Sequence, residues 1–339
     1  MFSIPNRTFK KTYILSRLLL GAFFFFAAGC TTFDFRNLFS GYIRYEKEAG
    51  GIWIRLPLKE VDHLPVIYLS LDKDRAPLRF LIDTGAFVSF LSEDHVPENS
   101  PKRVLSASFP GGSVQSVRRT IKNDLFIGGI RPFESVEFYS HVFPKELRVD
   151  GILGMNAFLG SVVVLDLPDR ISLWRSSTSS PAPGFLEENL FPMFLKSGQP
   201  SAVLLRPPGT RKESWILDTG AEYSVLDWDT IKSDHPTEYV EGKEATVFNF
   251  GGGRLQAKIR TLRPFCPVFV KNDSEGIGFC TPELEVFPGG IPPDALHSDH
   301  RKGIVGILGR NWMENYRILL DTKRSLIGIV GKESVSGNE

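Results

Sequence analysis

The stretch FLIDTGAFVSFLS at residues 80–92 returns as WILDTGAEYSVLD at residues 215–227. Both frames run from an apolar segment into Asp-Thr-Gly-Ala, and each is followed by a second matched segment, GILGMNAF from Gly151 and GILGRNWM from Gly306. The downstream segments superpose at an offset of 155 and keep register to Asp166 and Asp321, whereas the Asp-Thr-Gly motifs lie 135 apart. The second copy has therefore gained about twenty residues between its motifs, and insertions of that kind belong in loops. A repeat this long is no solenoid unit, so it reads as two related domains or lobes.

Each copy opens in the same way. Ile67, Leu69 and Leu71 alternate before a DKDR turn, and RFLI then leads to Asp83. Val203 and Leu205 precede PPGTRKE, and WIL leads to Asp218, so both carboxylates are expected at strand ends of hairpins. FPGG at Phe109 and FNFGGG at Phe248 sit between strand-like runs, as glycine-tipped hairpins would. Helical signal is confined to about one turn around Ala157 and around Trp312. With 31 Gly, 23 Pro and 27 Phe among short alternating apolar runs, the chain is expected to be all-β. A net charge of +1 argues against nucleic acid as a partner.

The ends bound the domains. Arg7, Lys10, Lys11 and Arg17 precede an apolar run from Leu18 to Ala28 that is short for a bilayer span. Ala27, Ala28, Gly29 and Cys30 resemble the lipobox of bacterial lipoproteins. That resemblance implies cleavage before Cys30, its lipidation, and anchoring to a membrane of the bacterial cell envelope. Ala27 stands where that family most often has Leu, which leaves ordinary signal-peptidase cleavage or an uncleaved anchor open. The expected layout is a signal peptide over 1–29, a tether over 30–50, an N-terminal lobe over 51–175, a Ser/Pro/Gly linker over 176–184, a C-terminal lobe over 185–331 and a polar tail over 332–339. Apart from Cys30 only Cys266 and Cys280 remain, and a disulfide and two free thiols both stay open.

One Asp-Thr-Gly alone is an ordinary turn sequence; two in matched frames, each with its own Ile-Leu-Gly, are far more specific. Over nearly all of residues 55–330 the chain resembles the aspartic protease superfamily, and within it the retropepsin-like branch. The resemblance implies two β-barrel-like lobes with Asp83 and Asp218 facing each other as catalytic residues across a cleft. It also implies that the Thr84 and Thr219 hydroxyls cross-link the two loops, that Gly85 and Gly220 let backbone amides approach the carboxylates, and that an extended peptide or protein is the substrate. Two carboxylates so close cannot both ionise cheaply, so one keeps a proton while the other activates a water, with no cofactor or metal required. The motifs continue with Ala86 and Ala221, where pepsin-like members usually carry Ser or Thr bonded to the carboxylates. Without that support the dyad should be less acidic, with an optimum from mildly acidic to near-neutral pH.

The same resemblance marks Gly111 and Gly112, and Gly251, Gly252 and Gly253, as flap tips. It also matches Gly309-Arg310-Asn311 to a segment whose Arg pairs with an acid four residues after the catalytic Asp, here Glu222. The first copy carries Phe87 and Met155 at those two places, as if an apolar contact had replaced a salt bridge. His297 and His300 offer too few ligands for a metal. The expected function is an exported aspartic endopeptidase acting as a monomer. The alternative is a catalytically inactive peptide-binding or adaptor lipoprotein of the same fold.

Overall fold

The computed structural model describes residues 44–331 except 49–50, 62–63, 108–112, 128–129, 134, 168–170, 177–183, 197–198, 206–211, 227–238, 249–253, 272–275 and 289–303. All described residues belong to one compact unit spanning 42–339. The chain is predominantly β, and its only described α-helix is the four-residue α1, Arg310–Met313.

The first half builds an eight-stranded sheet from β3 (Lys59–Val61), β4 (Leu64–Leu69), β5 (Leu78–Ile82), β6 (Ser89–Ser92), β7 (Lys102–Ala107), β8 (Ser113–Lys122), β11 (Val136–His141) and β12 (Gly151–Leu153). Their order is β3-β4-β5-β12-β6-β11-β8-β7. A separate small hairpin pairs β9 (Leu125–Ile127) with β10 (Ile130–Phe133). The second half repeats the sheet with β16 (Phe194–Lys196), β17 (Gln199–Leu205), β18 (Lys212–Leu217), β19 (Ser224–Leu226), β20 (Tyr239–Phe248), β21 (Arg254–Leu262), β24 (Leu284–Pro288) and β25 (Ile304–Leu308). There β22 (Val268–Val270) and β23 (Gly276–Gly278) extend the sheet beyond β17.

Read from β16, the second order is β16-β17-β18-β25-β19-β24-β21-β20, strand for strand the order of the first. Directions match too. The motif-bearing strands run parallel to the Ile-Leu-Gly strands, β5 to β12 and β18 to β25, while β6 and β19 lie antiparallel to those same strands. The sheets are open, with no closed barrel among the described residues, so the expected barrel-like lobes take the form of sheets with free ends.

A third sheet joins the halves in the order β1-β2-β14-β13-β26-β27-β15, where β1 is Arg44–Glu48, β2 Gly51–Pro57, β13 Ser161–Asp166, β14 Ile171–Ser176, β15 Leu190–Pro192, β26 Tyr316–Asp321 and β27 Leu326–Gly331. At its centre β13 and β26 pair antiparallel with Val164 opposite Leu319, residues that differ by the repeat offset of 155. The internal two-fold therefore passes through that pair. Every residue of β13 is buried, as a strand covered on both faces requires, and its Val-Val-Val-Leu run suits that place. Val162 and Val164 join Leu319 on one face, while Val163 and Leu165 join Ile318 and Leu320 in a core cluster that draws on both halves. Across the same pairing Arg317 Nε lies 2.9 Å from Asp166 Oδ2, both side chains largely buried.

Two expectations about the layout change. Residues 44–48 are strand, paired to β2, so the tether does not reach residue 50; a segment beside an open strand edge gains ladder bonds that a linker forgoes. The halves also share a sheet and a core, so they are not independent domains. The signal segment, Cys30 and the tail beyond residue 331 lie outside the described residues, as does most of the 176–184 linker.

Candidate active site

Strands β5 and β18 deliver Asp83 and Asp218 to one place. Each Asp starts its loop in the same way: the Asp83 N–H donates to the Leu153 carbonyl and the Asp218 N–H to the Leu308 carbonyl, both at 3.0 Å. The two loops are then locked by four reciprocal hydrogen bonds. The Thr84 N–H donates to Thr219 Oγ1 at 3.1 Å, and the Thr219 N–H to Thr84 Oγ1 at 3.0 Å. The Thr84 hydroxyl donates to the Leu217 carbonyl and the Thr219 hydroxyl to the Ile82 carbonyl, each at 2.7 Å. Both threonines are buried, so each hydroxyl satisfies a donor and an acceptor that water cannot reach.

Beyond the threonines, each motif glycine faces the opposite carboxylate. A Cβ on Gly220 would sit 2.6 Å from Asp83 Cγ, and one on Gly85 would sit 2.5 Å from Asp218 Oδ1. Any side chain at either position collides with the other half's acid. The glycines thus set the closeness of the dyad, which spans both halves of a single chain.

The two acids share a hydrogen bond but not an environment. Burial, then the Asp218 charge, pushes the Asp83 carboxyl well above the ordinary range. Burial also raises Asp218, but a hydrogen bond from Asp83 and backbone N–H groups of Gly220, Ala221 and Gly85 work against the shift. Asp218 Oδ1 accepts from Gly220 at 2.8 Å and from Ala221 at 3.2 Å, while Asp83 Oδ1 accepts from Ala86 at 3.0 Å. Donors stabilise the anion, and more of them reach Asp218 than Asp83, which favours the charge on Asp218 while the two carboxyls titrate as a unit.

A second set of paired residues carries the loops. Ser89 Oγ donates to Asn156 Oδ1 at 2.7 Å and accepts from the Gly154 N–H at 3.0 Å. Ser224 Oγ does the same with Asn311 Oδ1 at 2.9 Å and the Gly309 N–H at 3.0 Å. Asn156 Nδ2 donates to the Glu137 carbonyl at 2.8 Å, and Asn311 Nδ2 to the Glu285 carbonyl at 2.5 Å. The backbone amides of Met155 and Arg310 hold the carbonyls of Ala86 and Ala221, each at 2.8 Å. Sequence reading passed over these serines and asparagines as site residues. Their signal was present in both repeated frames: a Ser six residues after each motif Asp, and an Asn two residues after each Ile-Leu-Gly glycine.

The expected ion pair is not formed. Arg310 is 7% exposed, and its Nε lies 3.4 Å from Glu314 Oε1, one turn along. Glu222 is exposed and sits beside Tyr223, whose hydroxyl is raised by burial first and by the Glu222 charge second. An exposed carboxylate keeps hydration that a buried pair would forfeit. Phe87, the counterpart of Glu222, is 48% exposed, whereas Met155, the counterpart of Arg310, is fully buried.

The candidate flap glycines 111–112 and 251–253 lie outside the described residues; the strands flanking them, β7 with β8 and β20 with β21, pair as antiparallel hairpins. Cys266 and Cys280 are joined by a disulfide in the second half, beside the paired Phe265 and Thr281. No group of three or more His, Cys, Asp or Glu among the described residues could hold a metal ion. No described helix is long and apolar enough to cross a membrane. No protein-family model matches the chain, and no curated protein matches it.

Proposed function

We propose that this chain is an aspartic endopeptidase and that its halves are the two lobes of a single-chain, retropepsin-like acid protease. One observation carries the reading: two symmetry-related aspartates, locked by reciprocal Thr84 and Thr219 bonds, each lie against the other half's glycine. A structural turn needs no such closeness between two acids, because burying a second carboxylate beside the first is costly unless a proton is shared.

In this reading a water held between the carboxylates loses a proton to Asp218 as its oxygen attacks the peptide carbonyl carbon. Asp83 gives its proton to the carbonyl oxygen, so a neutral gem-diol forms with no covalent link to the enzyme. Asp218 then returns its proton to the amide nitrogen as the C–N bond breaks, and a diol hydroxyl returns a proton to Asp83 as the acid product forms. The hairpins β7–β8 and β20–β21 would close over an extended substrate. Export and lipid anchoring at Cys30 would place this activity on a membrane of the cell envelope.

The test is cleavage of a diverse peptide mixture by the full chain in detergent, from mildly acidic to neutral pH, beside Asp83→Asn and Asp218→Asn. Loss of all cleavage in either variant is expected. A folded wild type that cleaves nothing, or cleavage surviving either change, would remove the dyad mechanism.

A further inference from the structure

We propose that the first half carries a binding cleft for a small zwitterion, a free amino acid or a dipeptide, which stands whether or not the dyad cleaves peptides. The cleft holds about 300 Å³ between the turn that joins β4 to β5, a 3-10 turn at Glu93–His95 and the end of β8. No residue of the two acid loops lines it.

Each wall is anchored through the backbone. The β4–β5 turn follows Ser70, whose N–H donates to the Phe126 carbonyl at 2.8 Å and whose carbonyl accepts from the Phe126 N–H at 2.9 Å. It closes with the Arg75 N–H on the Asp72 carbonyl at 3.2 Å. The 3-10 turn is tied to β8 by Arg118, which donates to the Glu93 carbonyl at 3.5 Å, and the segment after it by the Arg119 N–H on the Pro101 carbonyl at 2.8 Å. Leu71 and Val96 supply a buried apolar floor that belongs to the main core cluster. The concavity is therefore set by the fold and is present before any ligand arrives.

Two acids, Asp72 and Asp94, and two bases, Arg75 and Lys122, line the cleft, with His95 and Pro97 completing the rim. Among the described residues none of these four charged side chains has an ion-pair or hydrogen-bond partner, whereas Arg79, Arg118 and Arg119 of the same sheet are each paired with a carboxylate. The acids and His95 do not come together as a metal-holding group. A lone anion would satisfy Arg75 and Lys122 but meet repulsion from both aspartates, and a lone cation would meet the reverse. A molecule that carries both an ammonium and a carboxylate answers all four charges at once. The apolar floor strengthens this by focusing the field of the rim into the cleft. Ligand pockets run from about 300 to 1,000 Å³, so a cleft at the small end suits one or two amino-acid residues rather than a longer peptide.

The test is isothermal titration calorimetry of the full chain in detergent with four probes: alanine, alanyl-alanine, N-acetylalanine, which lacks the ammonium, and alaninamide, which lacks the carboxylate. At least one zwitterion should bind, and removing either of its charges should weaken binding about fivefold, as for a solvent-facing ion pair. Lys122→Gln should weaken the zwitterion by a similar factor without weakening alaninamide, and Asp94→Asn should do so without weakening N-acetylalanine. Arg75→Gln and Asp72→Asn repeat the comparison from the opposite wall, and unchanged thermal melts show that each variant keeps the fold. Tighter binding of alanine supports the site as one for free amino acids, and tighter binding of alanyl-alanine supports it as one for dipeptides. No binding of either zwitterion, equal binding of all four probes, or binding that none of the variants moves overturns the proposal.

Discussion

The hydroxyls of Thr84 and Thr219 each hold two backbone partners in a buried place, so the smallest informative change is removal of one hydroxyl. Thr84→Val keeps the shape but strands the Thr219 N–H and the Leu217 carbonyl; about 1–3 kcal/mol of stability should be lost per stranded group, and Thr84→Ser should restore most of it. Thermal melts of the three chains check this. Equal melts for valine and serine would mean that the cross-link carries no energy. Asp83 offers a second test, through pH. Its carboxyl is raised in the folded chain by burial and by the Asp218 charge, so the folded state binds more protons than the unfolded state above the unfolded value. Its contribution is fully present below that value, near the 3.8 of a free side chain, and is lost as pH rises through the raised folded value. Asp83→Asn cannot ionise, so it should gain stability over wild type with rising pH and differ little below about pH 4. Melting temperatures of both chains across that range decide it; a difference that stays flat with pH would mean the two acids do not share a proton.

At the level of strands and turns, the segment after each Asp-Thr-Gly-Ala packs on the turn after Ile-Leu-Gly through backbone bonds, with side chains free to diverge. Because Arg310 meets Glu314 while Glu222 is exposed, the double variant Arg310→Met with Glu222→Phe should be additive within about 0.5 kcal/mol. A recovery of more than that would restore the direct pair. Much of this level is legible in the residues. Alternation before each motif marks the hairpins, and the first glycine of each Ile-Leu-Gly frame is required by close packing: a Cβ on Gly151 would lie 2.7 Å from Phe80 Cδ1, and one on Gly306 2.6 Å from Trp215 Cε3. The ion pair is not legible in the motif, because spacing fixes which backbones meet, whereas where Glu222 points depends on solvation. The sharing of one sheet by both halves was missed for a related reason. The buried run Val162 to Leu165 states that a strand is covered on both faces, but not whose strand lies beside it.

That shared sheet governs the behaviour of the whole molecule. The eight-stranded and ten-stranded sheets each belong to one half, yet β13 of the first half has β26 of the second as its neighbour over five paired residues. Cutting the chain in the linker exposes Val162 to Asp166 as an unpaired edge, opens a core cluster that draws on both halves, and leaves Asp166 without Arg317 in a place that had been largely buried. It also strips Thr84 of every partner supplied by Thr219 and Leu217. Uncovered apolar side chains forfeit about 1.5–3 kcal/mol each, so a few of them exceed the whole stability of a domain of this size. Residues 44–176 produced alone should therefore show no cooperative melt as a monomer, and the same should hold for residues 184–331. Mixing the two pieces should restore a cooperative transition, because the complementary edges and both acid loops are then present. Circular dichroism melts with light scattering on each piece and on the mixture carry the test. A sharp two-state melt from either monomeric piece would mean that the halves are separate domains that merely touch, and that the closeness of Asp83 to Asp218 rests on the threonine lock alone.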